Sequence, residues 1–529
     1  MRASLLIALP HGLNVSGVTA WAVRLACGLA ARGRNVGLLL HPEPADQRRL
    51  EVELPASVRV FGPEGLGALD DANADTGAMA GAYARAVESM PGTVVFSPNL
   101  LASCYGLAAE VSRDARVRVV GWAHSDNEYD VRVLEHYAAM LGAAVAVSER
   151  LERRLGAGTL AGVLARVPYG VEVPAACPER RSGGPVRLLY CGRLEHRQKR
   201  VLALPMLSRM LTERGIGHTM TMMGDGPARE DVARAIESSP GCRLVPATGP
   251  EGVRAALETH DALVLASRYE GLSVAMLEAM AAGCVPIVTR TESGALEAVT
   301  HGESGLIAEV SPEADEEAAA RGLLEAALSW LAGSEAARGA MSRAAWATAS
   351  ARYSIERHVE AVERVIDEAA AGPARPWPVE RSTRFAEGGS IPADGAARMA
   401  RVLASLSGRR IVIHGCGEHT RGLWPVIERG PARVAALVDD DRQRQGTAML
   451  GLPVVGPERA QELGATDVVI SSWMHEGAIW SRRGVYESRG IRVHRLYAAE
   501  RESREAAALA AATRSSGPPA SRPSSSSPA

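Results

Sequence analysis

No Cys-x-x-Cys pair occurs in this chain, whose seven cysteines (27, 104, 177, 191, 242, 284 and 416) stand singly. That excludes a zinc or disulfide framework of the usual spacing and leaves the thiols as small buried hydrophobes in a reducing compartment. An excess of one charge is missing too. With 59 basic against 61 acidic residues the formal net charge is −2, so charge implies no nucleic-acid or polyanion partner. No stretch reaches the ~18 apolar residues of a membrane span. Residues 1–10 carry one charge and only about six apolar residues before His11 and Gly12, too little for a signal peptide, and are expected to form a first β-strand. Aromatics are sparse at 4%, while Ala, Gly and Arg abound, a bias resembling a GC-rich bacterial coding sequence. The expected location is cytoplasmic, with peripheral attachment to the inner face of the plasma membrane left open.

What is present is a globular composition, 47% hydrophobic and 23% charged, over 529 residues. That length is too great for one core, and at roughly 150 residues per domain it suggests about three. The first third alternates short apolar runs with helical periodicity. Strands are expected at 5–9, 36–40, 94–96, 118–122 and 143–147. A helix is expected at 19–32, with Trp21, Leu25 and Leu29 on a four-residue rhythm and Gly33 closing it. Continuous apolar strands separated by helices indicate a parallel sheet covered on both faces. After Gly183-Gly184-Pro185 the pattern restarts, with strands at 186–191, 220–223, 243–246, 262–266 and 285–289, and a polar helical stretch over 313–371 ends it. Three prolines within 373–378 mark a second linker. A third small α/β unit follows, with strands at 410–414, 434–439, 467–471 and near 493. The Ser/Pro/Ala/Gly tail cannot bury apolar surface and is expected to be disordered. The expected domains are therefore 1–175, 176–372, a linker 373–384, a third unit 385–500 and a tail 501–529.

Two tandem α/β units with a cleft between them suit an enzyme that joins two substrates, because ligands sit outside the carboxyl ends of the strands in such sheets. Gly192-Arg193-Leu194 and Lys199 follow the strand ending at Cys191, and an Arg and a Lys there suit a diphosphate whose charge grows as its bond breaks. The alternative is a solvated basic loop, since His196, Arg197 and Arg200 lie beside them. Gly224-Asp225-Gly226-Pro227 follows the next strand, where glycines let a backbone approach a flat ligand closely. In Ser267-Arg268-Tyr269-Glu270-Gly271-Leu272-Ser273, Ser273 is a plausible N-cap, so the N–H groups of Gly271 to Ser273 face an anion at the positive end of the next helix. Glu278 then falls on an otherwise apolar helix, where a carboxylate is costly without a partner. A ribose diol is one partner and a buried Arg is another.

Glu270 and Glu278, with seven residues between them, resemble the paired-glutamate motif of the retaining glycosyltransferases of the GT-B fold, family 4. Arg193 with Lys199 is similar to that family's diphosphate-binding pair, 224–227 to its Gly-x-Gly-Pro loop, and Val167-Pro168-Tyr169-Gly170-Val171 to the segment that enters its second domain. The resemblance covers residues 1 to 370 and is weakest over 42–93. It implies two facing Rossmann-like domains and transfer of a sugar, with retention, from a UDP-, GDP- or ADP-linked donor to a saccharide, lipid-linked or other hydroxyl acceptor, commonly in polysaccharide biosynthesis. It implies that Arg193 and Lys199 hold the diphosphate, that Glu278 binds the ribose, and that Glu270 with Gly271, Leu272 and Ser273 orients the sugar and phosphate. Gly224 and Gly226 would line the donor site, Gly17 would approach it from the first domain, and His124 takes the place of a first-domain histidine near the donor sugar. No metal is required, because Arg, Lys and a helix dipole supply the electrostatics. The chain departs from the family in Ser16-Gly17-Val18-Thr19, which has one glycine where two are usual and Thr19 where a Glu is expected.

In the third unit, Gly415-Cys416-Gly417 follows a strand and opens a helix, with Asp439 at the end of the next strand. That layout resembles a dinucleotide fold with a loose glycine spacing, so an NAD-like ligand at Gly415, Gly417 and Asp439 and a nonbinding docking module are both open. The competing readings for the chain are a sugar-nucleotide epimerase or a phosphorylase of the same shape, neither with a motif here, and a non-catalytic nucleotide-sugar-binding scaffold. The intact Arg193, Glu270 and Glu278 count against the scaffold.

Overall fold

A computed structural model describes residues 2–497 except 44–48, 51, 63, 68, 70–74, 100, 157–161, 181–182, 384, 386–394, 442–443 and 473–475. The 501–529 tail lies outside the described residues. The chain divides into two compact units, residues 1–385 and 386–529.

The first unit contains two parallel sheets. One is built from β1 (Ser4–Leu9), β2 (Val36–Leu40), β3 (Val58–Phe61), β4 (Val94–Ser97), β5 (Val117–Ala123), β6 (Leu141–Ala146) and β7 (Val163–Arg166), in the order β3-β2-β1-β4-β5-β6-β7. β1, β2 and β4 are buried along their whole length, which is why they read as unbroken apolar runs rather than alternating ones. The order reverses between β1 and β4, which opens a crevice at the carboxyl ends of these strands. The first helix, Gly17–Ala31, is capped by Ser16, whose Oγ accepts the N–H of Thr19. Gly33 follows it with φ 78°, the left-handed conformation that ends helices.

The second sheet is built from β8 (Val186–Cys191), β9 (His218–Met223), β10 (Cys242–Val245), β11 (Ala262–Leu265), β12 (Val285–Thr289) and β13 (Leu306–Ala308), in the order β10-β9-β8-β11-β12-β13. β3, β7 and β13 have no counterpart in the sequence reading. β3 and β7 are short and half exposed, β3 is interrupted by Arg59, and β13 has only three residues.

The stretch over 313–371 resolves into three helices, Glu316–Ala332, Glu335–Arg352 and Ile355–Ala371. The last of these returns to the first sheet and packs beside the Gly17–Ala31 helix. Buried Arg34 holds it there through Asp367 at 2.9 Å. Trp21 Nε1 donates to His358 Nε2 at 2.8 Å, and His358 Nδ1 bonds Pro168 O at 2.7 Å. The Pro-rich segment after it also lies on the first sheet's side. Trp377 is buried, its N–H donates to Ser112 Oγ at 2.9 Å, and the Tyr137 hydroxyl donates to Thr383 O at 2.7 Å.

Burial lowers the His358 pKa to about 4, so the folded protein keeps this imidazole neutral over a range in which an unfolded chain protonates it. Its contribution to stability is complete above pH 6.5 and is lost as pH falls from 6.5 towards 4. The stability difference between the wild type and His358→Gln, followed by thermal denaturation, should therefore be largest above pH 6.5. It should shrink by about 1 kcal/mol per pH unit below that. A difference independent of pH would show that the histidine titrates in the fold as it does in the unfolded chain.

The second unit has its own six-stranded sheet: β14 (Arg410–His414), β15 (Arg433–Val438), β16 (Ala448–Met449), β17 (Leu452–Val455), β18 (Asp467–Ile470) and β19 (Arg492–His494), in the order β16-β17-β15-β14-β18-β19. All pairings are parallel except β16 with β17. Two apolar clusters form on this unit's sheet, one around Ile411, Ile413 and Leu437 and the other around Val412, Ala436 and Val438. Neighbouring residues of one strand thus divide between the two clusters, as the alternation of side chains along a strand requires.

Candidate active site

The loop after β8 is set by backbone packing. Gly192 N donates to Met223 O at 3.1 Å and Leu194 N to Asp225 O at 2.8 Å, which laces this loop to the one after β9. A Cβ on Gly224 would overlap the carbonyl oxygen of Gly192, and one on Gly226 would press on that of Leu194. These two glycines therefore have a reason in loop-to-loop contact, which the expectation of close ligand approach did not contain. Arg193 is exposed on this loop, and its guanidinium has no partner among the described residues. Arg200, which the sequence groups with a solvated basic loop, is fully buried with φ 45°. It donates to Ala266 O at 2.6 Å, Ser267 O at 3.0 Å and Ser311 O at 3.2 Å, and burial lowers its pKa to about 10. A fixed cation thus fastens the loop of Lys199 to the loop of Glu270.

Lys199 Nζ lies 2.5 Å from Glu270 Oε1, and the Ser267 hydroxyl donates to the same oxygen at 2.7 Å. Glu270 Oε2 accepts no hydrogen bond among the described residues. Ser273 caps the Val274–Ala281 helix, its Oγ accepting Met276 N at 3.4 Å. Leu272 is buried, and Gly271 O accepts the Ser293 hydroxyl at 2.8 Å. Along that helix Glu278 is paired through Oε1 with Arg24, which comes from the Gly17–Ala31 helix. The costly carboxylate has a mostly buried cation as partner, and its Oε2 likewise accepts no bond among the described residues. Gly17 packs on the same helix, where a Cβ would lie 3.6 Å from Val274 Cβ. Thr19, at the position of the expected acid, donates to Asn14 Oδ1 at 2.6 Å and so ties down the loop before its own helix.

His124 lies at the carboxyl end of β5, against Glu270 and Gly271. Asp126 N donates to Glu270 O at 3.4 Å, and a Cβ on Gly271 would overlap His124 O. The imidazole is stacked between Trp122, at 5.8 Å and 9°, and Tyr169, at 5.9 Å and 11°. Its Nδ1 bonds the Tyr169 hydroxyl at 2.6 Å, while its buried Nε2 has no partner among the described residues. Burial lowers its pKa to about 3, so it is a neutral hydrogen-bonding group near pH 7 and not a phosphate-binding cation. Asp130 holds the loop in place, its Oδ2 accepting His124 N at 3.1 Å and Ser125 N at 2.9 Å, and burial pushes its carboxyl up to about 6.

The structure therefore brings Lys199, Glu270, Gly271, Ser273 and His124 into one neighbourhood and Glu278 with Gly17 along the adjoining helix. The sequence reading missed Arg24 and Asp130, and it quoted Tyr169 only as part of a motif. Asn99 was missed too. It is buried after β4 with φ 54°, and its side-chain amide finds no partner among the described residues. A Pro-Asn turn directly after a strand was the available signal.

In the second unit, Gly415 sits so close to Ser471 O that a side chain would collide, while Gly417 opens the Glu418–Glu428 helix with space around it. Asp439 meets this loop, Oδ2 accepting Cys416 N at 3.2 Å and Oδ1 accepting Asp441 N at 2.9 Å. No group of three or more His, Cys, Asp or Glu suited to a metal ion occurs among the described residues, and no described helix is long and apolar enough to cross a membrane.

Residues 185–327, which contain every donor-side group named above, match the family model for glycosyl transferases group 1. The fold is GT-B. Over 69% of this chain and 98% of the other, the chain superposes on sucrose-phosphate synthase from Thermosynechococcus elongatus with a TM-score of 0.55 at 16% identity. The pneumococcal O-GlcNAc transferase GtfA, solved with UDP and GlcNAc, gives a TM-score of 0.55 at 10% identity over 70% of this chain and 100% of that one. In sequence, the glycogen synthase of Mycobacterium tuberculosis is 34% identical over 167 residues, 30% of this chain and 37% of that protein. That of Thermus thermophilus is 32% identical over 150 residues, 27% of this chain and 34% of that protein. The match thus spans little more than a third of the length of these curated relatives.

Proposed function

We propose that this chain is a retaining, metal-independent glycosyltransferase that moves a sugar from a nucleoside diphosphate to a hydroxyl of a saccharide or lipid-linked acceptor. The observation that carries the reading is the matched state of the two glutamates. Each has one carboxylate oxygen held by a protein cation, Glu270 by Lys199 and Glu278 by Arg24, while the other accepts no bond among the described residues. Two anchored carboxylates with open oxygens eight positions apart suit two sets of hydroxyls, those of the sugar at Glu270 and of the ribose at Glu278.

In the proposed reaction the bond between the anomeric carbon and the diphosphate oxygen breaks, and a bond from the acceptor oxygen forms on the same face. The acceptor's proton passes to the departing phosphate. Arg193, with no partner among the described residues, and Lys199 offset the charge that develops on the diphosphate, and the capped helix start at Ser273 adds its N–H groups. His124, neutral and with Nε2 available, supplies one hydrogen bond to a sugar hydroxyl. For the unit over 386–529 no ligand is proposed, because both carboxylate oxygens of Asp439 already accept backbone amides.

Thermal shift against UDP-, GDP- and ADP-sugars and the free nucleotides tests the reading. At least one should stabilise the protein, and Glu278→Ala and Arg193→Ala should each weaken that ligand about tenfold or more. Failure of every nucleotide and nucleotide sugar to stabilise the wild type would sink the proposal. Unchanged binding by both variants would move the site elsewhere.

A further inference from the structure

Glu278 belongs to the helix that follows the donor loop, yet the cation that holds it comes from the other side of the cleft, 254 positions earlier in the chain. Both side chains are mostly buried, Arg24 at 13% exposure and Glu278 at 17%. Arg24 engages Oε1 alone, and its own Nη1 is buried without a partner among the described residues. The two helices touch beside the pair, Gly17 against Val274. Most of the remaining face of the Val274–Ala281 helix is buried and apolar, so nothing on Glu278's own helix can fix its rotamer or offset its charge.

We propose that Arg24 is a positioning residue for the nucleotide's ribose, which it serves by orienting Glu278 across the domain boundary. The inference rests on the reading of Glu278 as the ribose-binding carboxylate. A carboxylate has about four acceptor positions, and a charge-assisted bond from a guanidinium to one oxygen fixes the direction of the other. With Arg24 on Oε1, Oε2 is presented to the two vicinal hydroxyls. Arg24 is delivered by the first sheet's leading helix, so the oriented carboxylate exists only while the two halves of the first unit are closed on each other. Ribose binding and closure then favour one another in both directions, as linkage requires.

The experiment uses the full chain and whichever of UDP, GDP and ADP binds best, alongside its 2′-deoxy analogue, with calorimetry as the readout. The wild type should prefer the ribonucleotide by about tenfold or more, since a site that pairs with a hydroxyl rejects the analogue lacking it. In Arg24→Met the preference should fall to about twofold or less, and Arg24→Lys, which keeps the charge, should restore most of it. Arg24→Gln gives the same readout should the Met variant not fold. A merely structural Arg24 would lower both affinities and leave their ratio unchanged, and that result overturns the inference while the donor site stands. A wild type that binds the nucleotide without preferring the ribose overturns the role of Glu278 and this inference with it. A wild type that binds none of the three nucleotides overturns the glycosyl-transfer reading itself.

Discussion

Lys199→Met should slow sugar transfer by about 10²–10³-fold, the usual consequence of removing one group that stabilises charge developing in the transition state. Lys199 has two tasks in the proposed mechanism. Its ammonium offsets charge on the departing diphosphate, and it anchors Glu270 through the 2.5 Å contact with Oε1. Methionine fills much the same volume but does neither. The side chains of the pair are 18% and 12% exposed, so breaking it leaves a poorly solvated carboxylate and should cost stability, at most about 3–5 kcal/mol. Stability and chemistry can be separated. Adding Glu270→Gln to Lys199→Met removes the orphaned charge and should recover most of the lost Tm, while the rate stays at or below the level of the single variant. Both are measurable from initial rates with saturating donor and from thermal denaturation. A single variant whose kcat lies within threefold of the wild type would remove Lys199 from the mechanism.

Gly271→Ala should be almost as damaging to transfer, through sterics alone. The added Cβ would overlap the carbonyl oxygen of His124 and lie 3.1 Å from Ser125 Cα. Both neighbours are backbone, held by Asp130 at 3.1 and 2.9 Å, so no rotamer change makes room. The contact between the loop of Glu270 and the loop of His124 must open, carrying the bond from Asp126 N to Glu270 O with it. A displacement of about 1 Å between reacting groups costs about 10²-fold in rate. Nucleotide affinity should fall by less than the rate does, because Arg193 lies on the other loop. Gly217→Ala is the control: its Cβ would be 3.9 Å from Pro185, an ordinary contact. Wild-type transfer by Gly271→Ala would show that closure at this point is dispensable.

The parts of the site legible in the sequence are those carried by short segments. Glu270, Ser273 and Glu278 declare themselves because a polar loop, an N-cap and a lone carboxylate on an apolar helix lie within nine consecutive residues. Arg193 and Lys199 are legible for the same reason, as basic residues in the loop that follows the strand ending at Cys191. The strands that read clearly were those buried on both faces, β1, β2 and β4 among them, whereas half-exposed β3 and β7 left no periodic trace.

By itself, then, the amino-acid order determined that tandem parallel α/β sheets form, and which loops at their carboxyl edges carry charge, because apolar runs and turn residues act over a few positions. Only the tertiary structure decided the partners. Arg24 meets Glu278 over 254 positions and Trp21 meets His358 over 337, pairings that no local pattern encodes. It also decided that Arg200 is a buried clamp rather than a solvated cation, that His124 is neutral, and that Gly224 and Gly226 are small to admit a neighbouring loop. Burial and long-range contact set each of these, and both come into being only when the sheets pack.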